Sequence, residues 1–384
     1  MSLNNHDTNI SQEECRNCSK LSSSSSIIRQ RSSKQKKNFI FIGYREHWET
    51  HPPFECECQN QSIIIEKLDY SDDLNYTGKA DCLLFVLAPT GRLHSYQWNI
   101  LRKNRGENQT WLFASRESAS TTQSHMSPPK KYSSSTYHIS FTYHSKADLP
   151  TPYGRYVSHK QSEINVKERL TAILEKKVHL MSWMSSNCVK EWRRTEFVKH
   201  LAHLLPIHMY GTCGNMTCAK MTSECTLRLK SYKFALVLEN SCCPEYITEK
   251  FWNAFTYEQV PVVLGALPDE YARLAPPNSY IHIEEFKTMT DLVQFIEKVD
   301  KDDSLYLKYH EWRGKGYIDL AKLPADFISS CHSLCRVGNK IDELRSTGDN
   351  AFHFDPFSPT WFGGCRNCDE IIGKMKSNSV VDFS

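Results

Sequence analysis

The chain has no apolar run approaching the ~20 residues that a membrane-spanning helix requires, and its first 40 residues are polar. It also lacks an excess of charge: 47 Lys and Arg against 44 Asp and Glu leave a formal charge of +3. So even a balance excludes broad electrostatic capture of nucleic acid or of an anionic membrane. Glycine-rich loops and the basic, aromatic patches of RNA-binding modules are missing. So is a compact cluster with metal-ligand spacing. A small anion held by a local site is the ligand class left open. At 384 residues the chain is long enough for about two domains.

Cysteine is abundant, with 15 in all and pairs at Cys15/Cys18, Cys56/Cys58, Cys331/Cys335 and Cys365/Cys368. A secretory compartment with disulfides accounts for this usage better than zinc, because the pairs lack a compact ribbon spacing. The odd count leaves at least one thiol outside an intramolecular bond. Six N-x-S/T sequons, at Asn9, Asn17, Asn60, Asn75, Asn108 and Asn215, point to the same compartment.

Residues 1–37, with a serine run and the basic RQRSSKQKK stretch, read as a disordered stem. Asn38–Gly43, Lys79–Ala88 and Thr110–Ala114 read as the first strands, and Ser118–Ser135 as a polar, mobile insertion. The clearest unit comes later. Phe234–Leu238 and Val260–Leu264 are apolar runs of strand length flanking a helical pattern, a βαβ arrangement. Ser241 as cap and Pro244 in the first turn place the helix start near Cys242–Pro244. Tyr246, Glu249, Lys250 and Asn253 then share one face, and Ile247, Phe251, Ala254 and Phe255 another. Free N–H groups at a helix start beside a lysine suit a diphosphate. An ordinary solvated helix face fits the spacing equally well.

The string Glu239-Asn240-Ser241, then Tyr246-Ile247-Thr248-Glu249-Lys250, then Val260-Pro261-Val262-Val263 resembles the signature of the α-1,3-fucosyltransferases, glycosyltransferase family 10. Trp183–Cys188, Tyr210–Gly214, Pro276–Phe286 and Tyr306–Trp312 extend the resemblance over about residues 180–315. It implies a GT-B-like α/β fold of two doubly wound Rossmann-like domains facing a cleft. The expected division is 1–37 stem, 38–165 acceptor-binding domain, 166–335 GDP-fucose-binding domain and 336–384 a cysteine-containing tail.

The resemblance also assigns residues. Glu117 occupies the place of the family's catalytic base, with Ala119 standing where the family has proline. Lys250 and Arg194, with Arg193 as the near alternative, would neutralise the departing diphosphate. Tyr153, Ser185, Ser186, Asn187, Arg194, Asn240, Tyr246, Glu249 and Lys250 would bind the donor, and no metal is expected. Taken without the resemblance, an exposed glutamate after a strand, an arginine in a surface helix, a turn tyrosine and a serine–asparagine cap carry no such role.

Two departures stand out. His144-Ser145-Lys146-Ala147-Asp148 replaces a segment in which the family carries two arginines and a further acid, leaving His144 and Lys146 as substitute charges, and Ala235 replaces an aromatic residue. The implied function is inverting α-1,3 transfer of L-fucose from GDP-fucose to a GlcNAc hydroxyl of an N-acetyllactosamine-like or LacdiNAc-like glycan. Transfer to the N-glycan core or to protein hydroxyls is the nearest rival, and a catalytically weakened glycan- or nucleotide-binding protein is the rival from another class. No cofactor is required on this reading, and divalent ions act at most as stimulants. The partners are GDP-fucose and a glycan or glycoprotein acceptor, without nucleic acid. The implied location is the Golgi lumen, with membrane attachment only through an anchor that this sequence does not contain.

Overall fold

Continuous burial along the central strands organises the chain into two mainly parallel sheets, each packed on both faces. The computed structural model describes residues 35–42, 55–68, 72–86, 93–159, 165–188, 192–219, 222–320, 328 and 330–375. Residues 1–34 of the expected stem and Gly43 therefore lie outside the described residues, whereas the last three residues assigned to the stem, 35–37, open the first strand, and Lys37 is buried against Asp342. Lys36–Ser384 form one compact unit by their contacts, and the preceding unit, Met1–Gln35, is described only at Gln35.

The first sheet contains β1 (Gln35–Ile42), β2 (Glu55–Glu57), β3 (Gln61–Leu68), β4 (Cys82–Val86), β5 (Thr110–Ser115) and β6 (Ile139–Thr142). Its order is β2-β3-β1-β4-β5-β6, with β1, β4, β5 and β6 parallel and β2 antiparallel to β3. Strand β7 (Gly154–Ser158) then leaves the sheet. The second sheet holds β8 (His179–Met184), β9 (Ile207–Tyr210), β10 (Tyr232–Leu238), β11 (Val260–Leu264) and β12 (Ile281–His282) in the order β12-β11-β10-β8-β9, all parallel. Strand β13 (Gly316–Leu320) returns to pair antiparallel with β7.

Both sheets are covered on two faces, as parallel sheets must be. Trp111 and Phe113 of β5 face one core while Leu112 and Ala114 face another. In β10, Ala235 and Val237 join the same core as Trp111, whereas Phe234, Leu236 and Leu238 point to the far side. One apolar cluster thus runs from the first sheet to the second through Tyr143, Tyr153, Tyr246, Trp252 and Trp361.

Among the described residues six disulfides join Cys56–Cys331, Cys58–Cys335, Cys188–Cys213, Cys218–Cys225, Cys242–Cys368 and Cys243–Cys365, and Cys82 is a buried free thiol. The Cys56/Cys58 cluster therefore pairs with Cys331/Cys335, and Cys365/Cys368 with Cys243/Cys242, while Cys15 and Cys18 lie outside the described residues. Helix Cys331–Thr347 lies on the first sheet, held by Cys56, Cys58 and by Lys37, whose ammonium meets Asp342 at 2.8 Å. Residues read from the sequence as the end of the second domain and the start of a tail thus pack against β2 and β3.

Two expectations need correction. The segment Ser118–Ser135 is not a mobile loop: it forms helix Ala119–Met126 and a 3-10 turn at Lys130–Ser135. Ser118 caps the helix by accepting the Thr121 N–H at 3.2 Å, and buried Thr122 accepts the Trp361 indole N–H at 3.2 Å. Ser118 is thus a capping group and Thr122 a packing group, and the Trp361 partner of Thr122 lies more than 200 residues away in sequence. The second correction concerns the signature helix, which spans Glu249–Thr256 with Thr248 as cap. Cys242–Ile247 form instead a strap held by two disulfides to Cys368 and Cys365.

Candidate active site

Parallel sheets present ligands at the carboxyl ends of their strands, where successive strands diverge to opposite sides. In the second sheet this occurs between β8 and β10, since β9 lies beyond β8 while β11 and β12 lie beyond β10. Arg194 opens helix Arg194–Ala202 and closes the floor of that crevice. Its Nη1 donates to Leu238 O at 3.0 Å and Asn240 Oδ1 at 2.7 Å, and its Nη2 to Ser185 Oγ at 3.1 Å and Asn187 O at 2.6 Å. A planar, multi-donor guanidinium can bridge two strand ends in this way, which an ammonium cannot. Arg193 turns outward to Asp369, so the sequence alternative is not in the crevice. Ser186 is exposed at the rim.

Lys250 is the second residue of the signature helix, in its first turn. Its Nζ lies 3.3 Å from Glu239 Oε2, 3.0 Å from Thr248 Oγ1 and 3.6 Å from Glu249 Oε1. Glu239 is fully buried and also accepts the Thr248 N–H at 2.8 Å and its hydroxyl at 2.8 Å. A buried carboxylate persists only when paired in this manner. Burial lowers the Lys250 pKa, but Glu239 and Glu249 more than reverse this and hold the ammonium above its ordinary range. The lysine side chain keeps 26% of its surface in solvent, so a ligand can reach it. Gly265 is required beside it, since a Cβ there would stand 2.8 Å from Glu239 Cγ.

Glu117 arrives from the first sheet. It follows β5, where its N–H donates to Ser115 Oγ at 3.0 Å, and its side chain is exposed. The buried Tyr246 phenol donates to Glu117 Oε2 at 3.4 Å, joining residues 129 apart in sequence. Burial and the nearby Glu117 push the Tyr246 pKa well up, so the phenol stays protonated and remains a donor. Tyr153 donates to the Arg116 carbonyl, and the Arg116 guanidinium lies 4.1 Å over the Tyr153 ring. Burial lowers the Arg116 pKa, opposed by Tyr153 and Glu249, which places Arg116 in the same field as the Lys250 cluster.

The altered segment after β6 serves structure. Asp148 accepts the Ser140 N–H at 2.8 Å and its hydroxyl at 2.7 Å. His144 does not replace a missing arginine charge, because burial lowers its pKa despite Glu245 and keeps it neutral. Lys146 is exposed. The adjoining Glu245 carboxylate pairs with the Arg273 guanidinium. Ala235 is buried within β10, short of the carboxyl ends that form the site. A cavity of about 190 Å³ beside the site is lined by Tyr143, Tyr153, Glu245, Ile247 and Trp252, and by none of Glu117, Arg194 or Lys250. Among the described residues no group of three His, Cys, Asp or Glu is placed to hold a metal ion.

Four groups at or beside the site escaped the sequence reading: Glu239, Glu245, Arg116 and Arg273. Glu239 had a signal in its position, an acid immediately after a buried strand. The other three had none, because their partners come from distant segments.

The glycosyltransferase family 10 (fucosyltransferase) C-terminal model matches residues 174–351. The 4-galactosyl-N-acetylglucosaminide 3-alpha-L-fucosyltransferase FUT5 of Hylobates lar is 30% identical over 67% of this chain and 69% of its own length. The glycoprotein 3-alpha-L-fucosyltransferase A of Drosophila melanogaster is 33% identical over 46% of this chain and 35% of its own. The corresponding FUT6 of Pan troglodytes is 33% identical over 63% of this chain and 62% of its own. The chain thus spans less than two thirds of the length of these last two relatives. A crystal structure of an alpha1,3-fucosyltransferase superposes with a TM-score of 0.52 at 17% identity, covering 87% of this chain and 96% of the other. The two-sheet architecture is therefore the GT-B-like fold.

Proposed function

We propose, from the premise that this chain belongs to glycosyltransferase family 10, the fucosyltransferases, that it transfers L-fucose from GDP-fucose to a GlcNAc hydroxyl with inversion at the anomeric carbon. The observation that carries this reading is the meeting of Glu117, from the first sheet, with Tyr246 of the signature segment, beside the accessible cation Lys250. Inverting transfer needs one base and positive charge on the departing diphosphate, and these are the groups present.

In this mechanism the acceptor oxygen forms the new bond to the sugar's C1 and its proton passes to the Glu117 carboxylate. The C1–O bond to the diphosphate breaks with its electron pair on GDP. Lys250 meets that charge directly, and Arg194 holds the β8 and β10 ends that form the diphosphate floor. Asn240, Ser185, Ser186, Asn187, Tyr246 and Glu249 border the donor, and Tyr153 fixes the backbone beside Glu117. No metal step is invoked.

Relatives named as acting on galactosyl-N-acetylglucosaminides and on glycoproteins support an N-acetyllactosamine-like or related GlcNAc acceptor on a protein-linked glycan. Six disulfides support the oxidising Golgi lumen as its place of work. Incubating the secreted protein with radiolabelled GDP-fucose and a panel of lactosamine, LacdiNAc, N-glycan-core and peptide acceptors tests the reading. Transfer above hydrolysis is expected for the first two, and Glu117→Gln should lower kcat by about 10²–10⁴-fold. GDP binding without transfer to any acceptor would sink the enzymatic reading in favour of a nucleotide-binding protein.

A further inference from the structure

Glu245 has no part in the chemistry above, yet it is buried in the strap and held by several hydrogen bonds. Its backbone lies in the left-handed region at φ 51°, where a glutamate is uncommon. Its N–H donates to Glu270 Oε2 at 3.0 Å. Its carboxylate, 3% exposed, accepts the Ser145 N–H at 2.6 Å, the Ser145 hydroxyl at 2.7 Å and the Arg273 guanidinium. Ser145 belongs to the segment after β6, whereas Glu245 and Arg273 belong to the second sheet's side. The contact therefore bridges the two halves.

The next residue in the chain is Tyr246, whose phenol meets Glu117. The same β6 segment also supplies Tyr143, whose ring lies 5.2 Å from that of Tyr246. Two residues within a three-residue span thus grip two consecutive residues of the strap: Ser145 holds Glu245 and Tyr143 packs on Tyr246. Burying a carboxylate here without purpose would be costly, since each of its oxygens needs a partner. The left-handed turn at Glu245 determines where Tyr246 begins, and so where its hydroxyl ends.

We propose that Glu245 is a positioning residue, a clamp closed by Ser145 and Arg273 that sets the Tyr246 hydroxyl against the Glu117 carboxylate. In this clamp Ser145, from the segment that departs from the family pattern, supplies two hydrogen bonds to Glu245, and Arg273 supplies the positive charge. Donation from Tyr246 stabilises the ionised form of Glu117 and keeps it ready to accept a proton.

This inference rests on Glu117 acting as the base, and the experiment separates the two claims. Kinetics and GDP binding are measured for the wild-type chain, Glu245→Gln, Ser145→Ala, Arg273→Lys and Tyr246→Phe, together with hydrogen exchange of segments 115–119, 143–149 and 242–247. Glu245→Gln should lower kcat at least tenfold, with the Kd for GDP within threefold of wild type. It should also shift the acidic limb of the kcat/KM profile upward, in the same direction as Tyr246→Phe. Arg273→Lys should retain most activity, and the three segments should exchange faster in Glu245→Gln. An unmoved acidic limb, or parallel losses of kcat and GDP affinity, overturns the positioning role. If the wild-type chain transfers no fucose, the enzymatic reading falls, while unchanged exchange in Glu245→Gln would by itself overturn the clamp.

Discussion

At the scale of single residues the site is governed by one buried carboxylate. Glu239 holds Thr248 and Lys250 together, so it sets both the start of the signature helix and the position of its cation. Replacing it by glutamine leaves a hydrogen-bond acceptor but removes the charge that Lys250 faces. We expect Glu239→Gln to cost roughly 1–3 kcal/mol of stability in denaturant titration. The double variant with Lys250→Met should cost less than the sum of the singles, because the unpaired ammonium is gone. Lys250→Met alone should weaken GDP binding about 10–100-fold by calorimetry, the worth of a charge-assisted hydrogen bond. Unaltered affinity would remove Lys250 from the diphosphate. The resemblance pointed to Lys250 and Glu117 from sequence alone. It did not point to Glu239 as a counter-ion, because a counter-ion is defined by proximity in space.

At the scale of elements the decisive question is where the signature helix begins. Serine before a Cys-Cys-Pro run is a reasonable cap in sequence, and the structure uses threonine seven residues later. The disulfides explain the delay, since bonds to Cys368 and Cys365 hold Cys242 and Cys243 in a strap that helical backbone could not follow. The two caps respond differently to substitution. Thr248→Ala should cost about 1–2 kcal/mol, because it removes a cap together with a bond to Glu239. Among the described residues the buried Ser241 Oγ has no hydrogen-bond partner, so Ser241→Ala should change stability by less than about 0.5 kcal/mol. Equal losses at the two positions in thermal melts would contradict this helix boundary. The Ala119–Met126 helix teaches the same lesson. Its polar sequence reads as a loop until Trp361 packs against Thr122.

At the scale of the whole molecule, burial sets the pH response. Burial lowers His138 and His282 to about 4, with Arg105 adding to the effect at His138, and burial also depresses His144 and His310. These side chains are neutral in the fold, whereas the unfolded chain protonates them near the ordinary value of 6.5. The stability is therefore complete above 6.5 and is lost as pH falls from there toward the native values. At about pH 5.5 the loss should be roughly 1 kcal/mol for each of His138 and His282. Melting temperatures that are flat between pH 7 and 5.5 would show that these histidines are not buried neutral. By itself the sequence determined most of the alternation of strands and helices and a cysteine content that favours disulfides, and its resemblance to the family put forward Glu117 and Lys250 as the proposed base and cation, because periodicity and motif order are local properties. Only the tertiary structure decided which cysteines pair, that Cys331–Thr347 returns to the first sheet, and that Glu245 and Glu239 hold Tyr246 and Lys250 in place. Most of those are contacts between segments far apart in the chain, and they exist only once the two sheets have formed and brought the segments together.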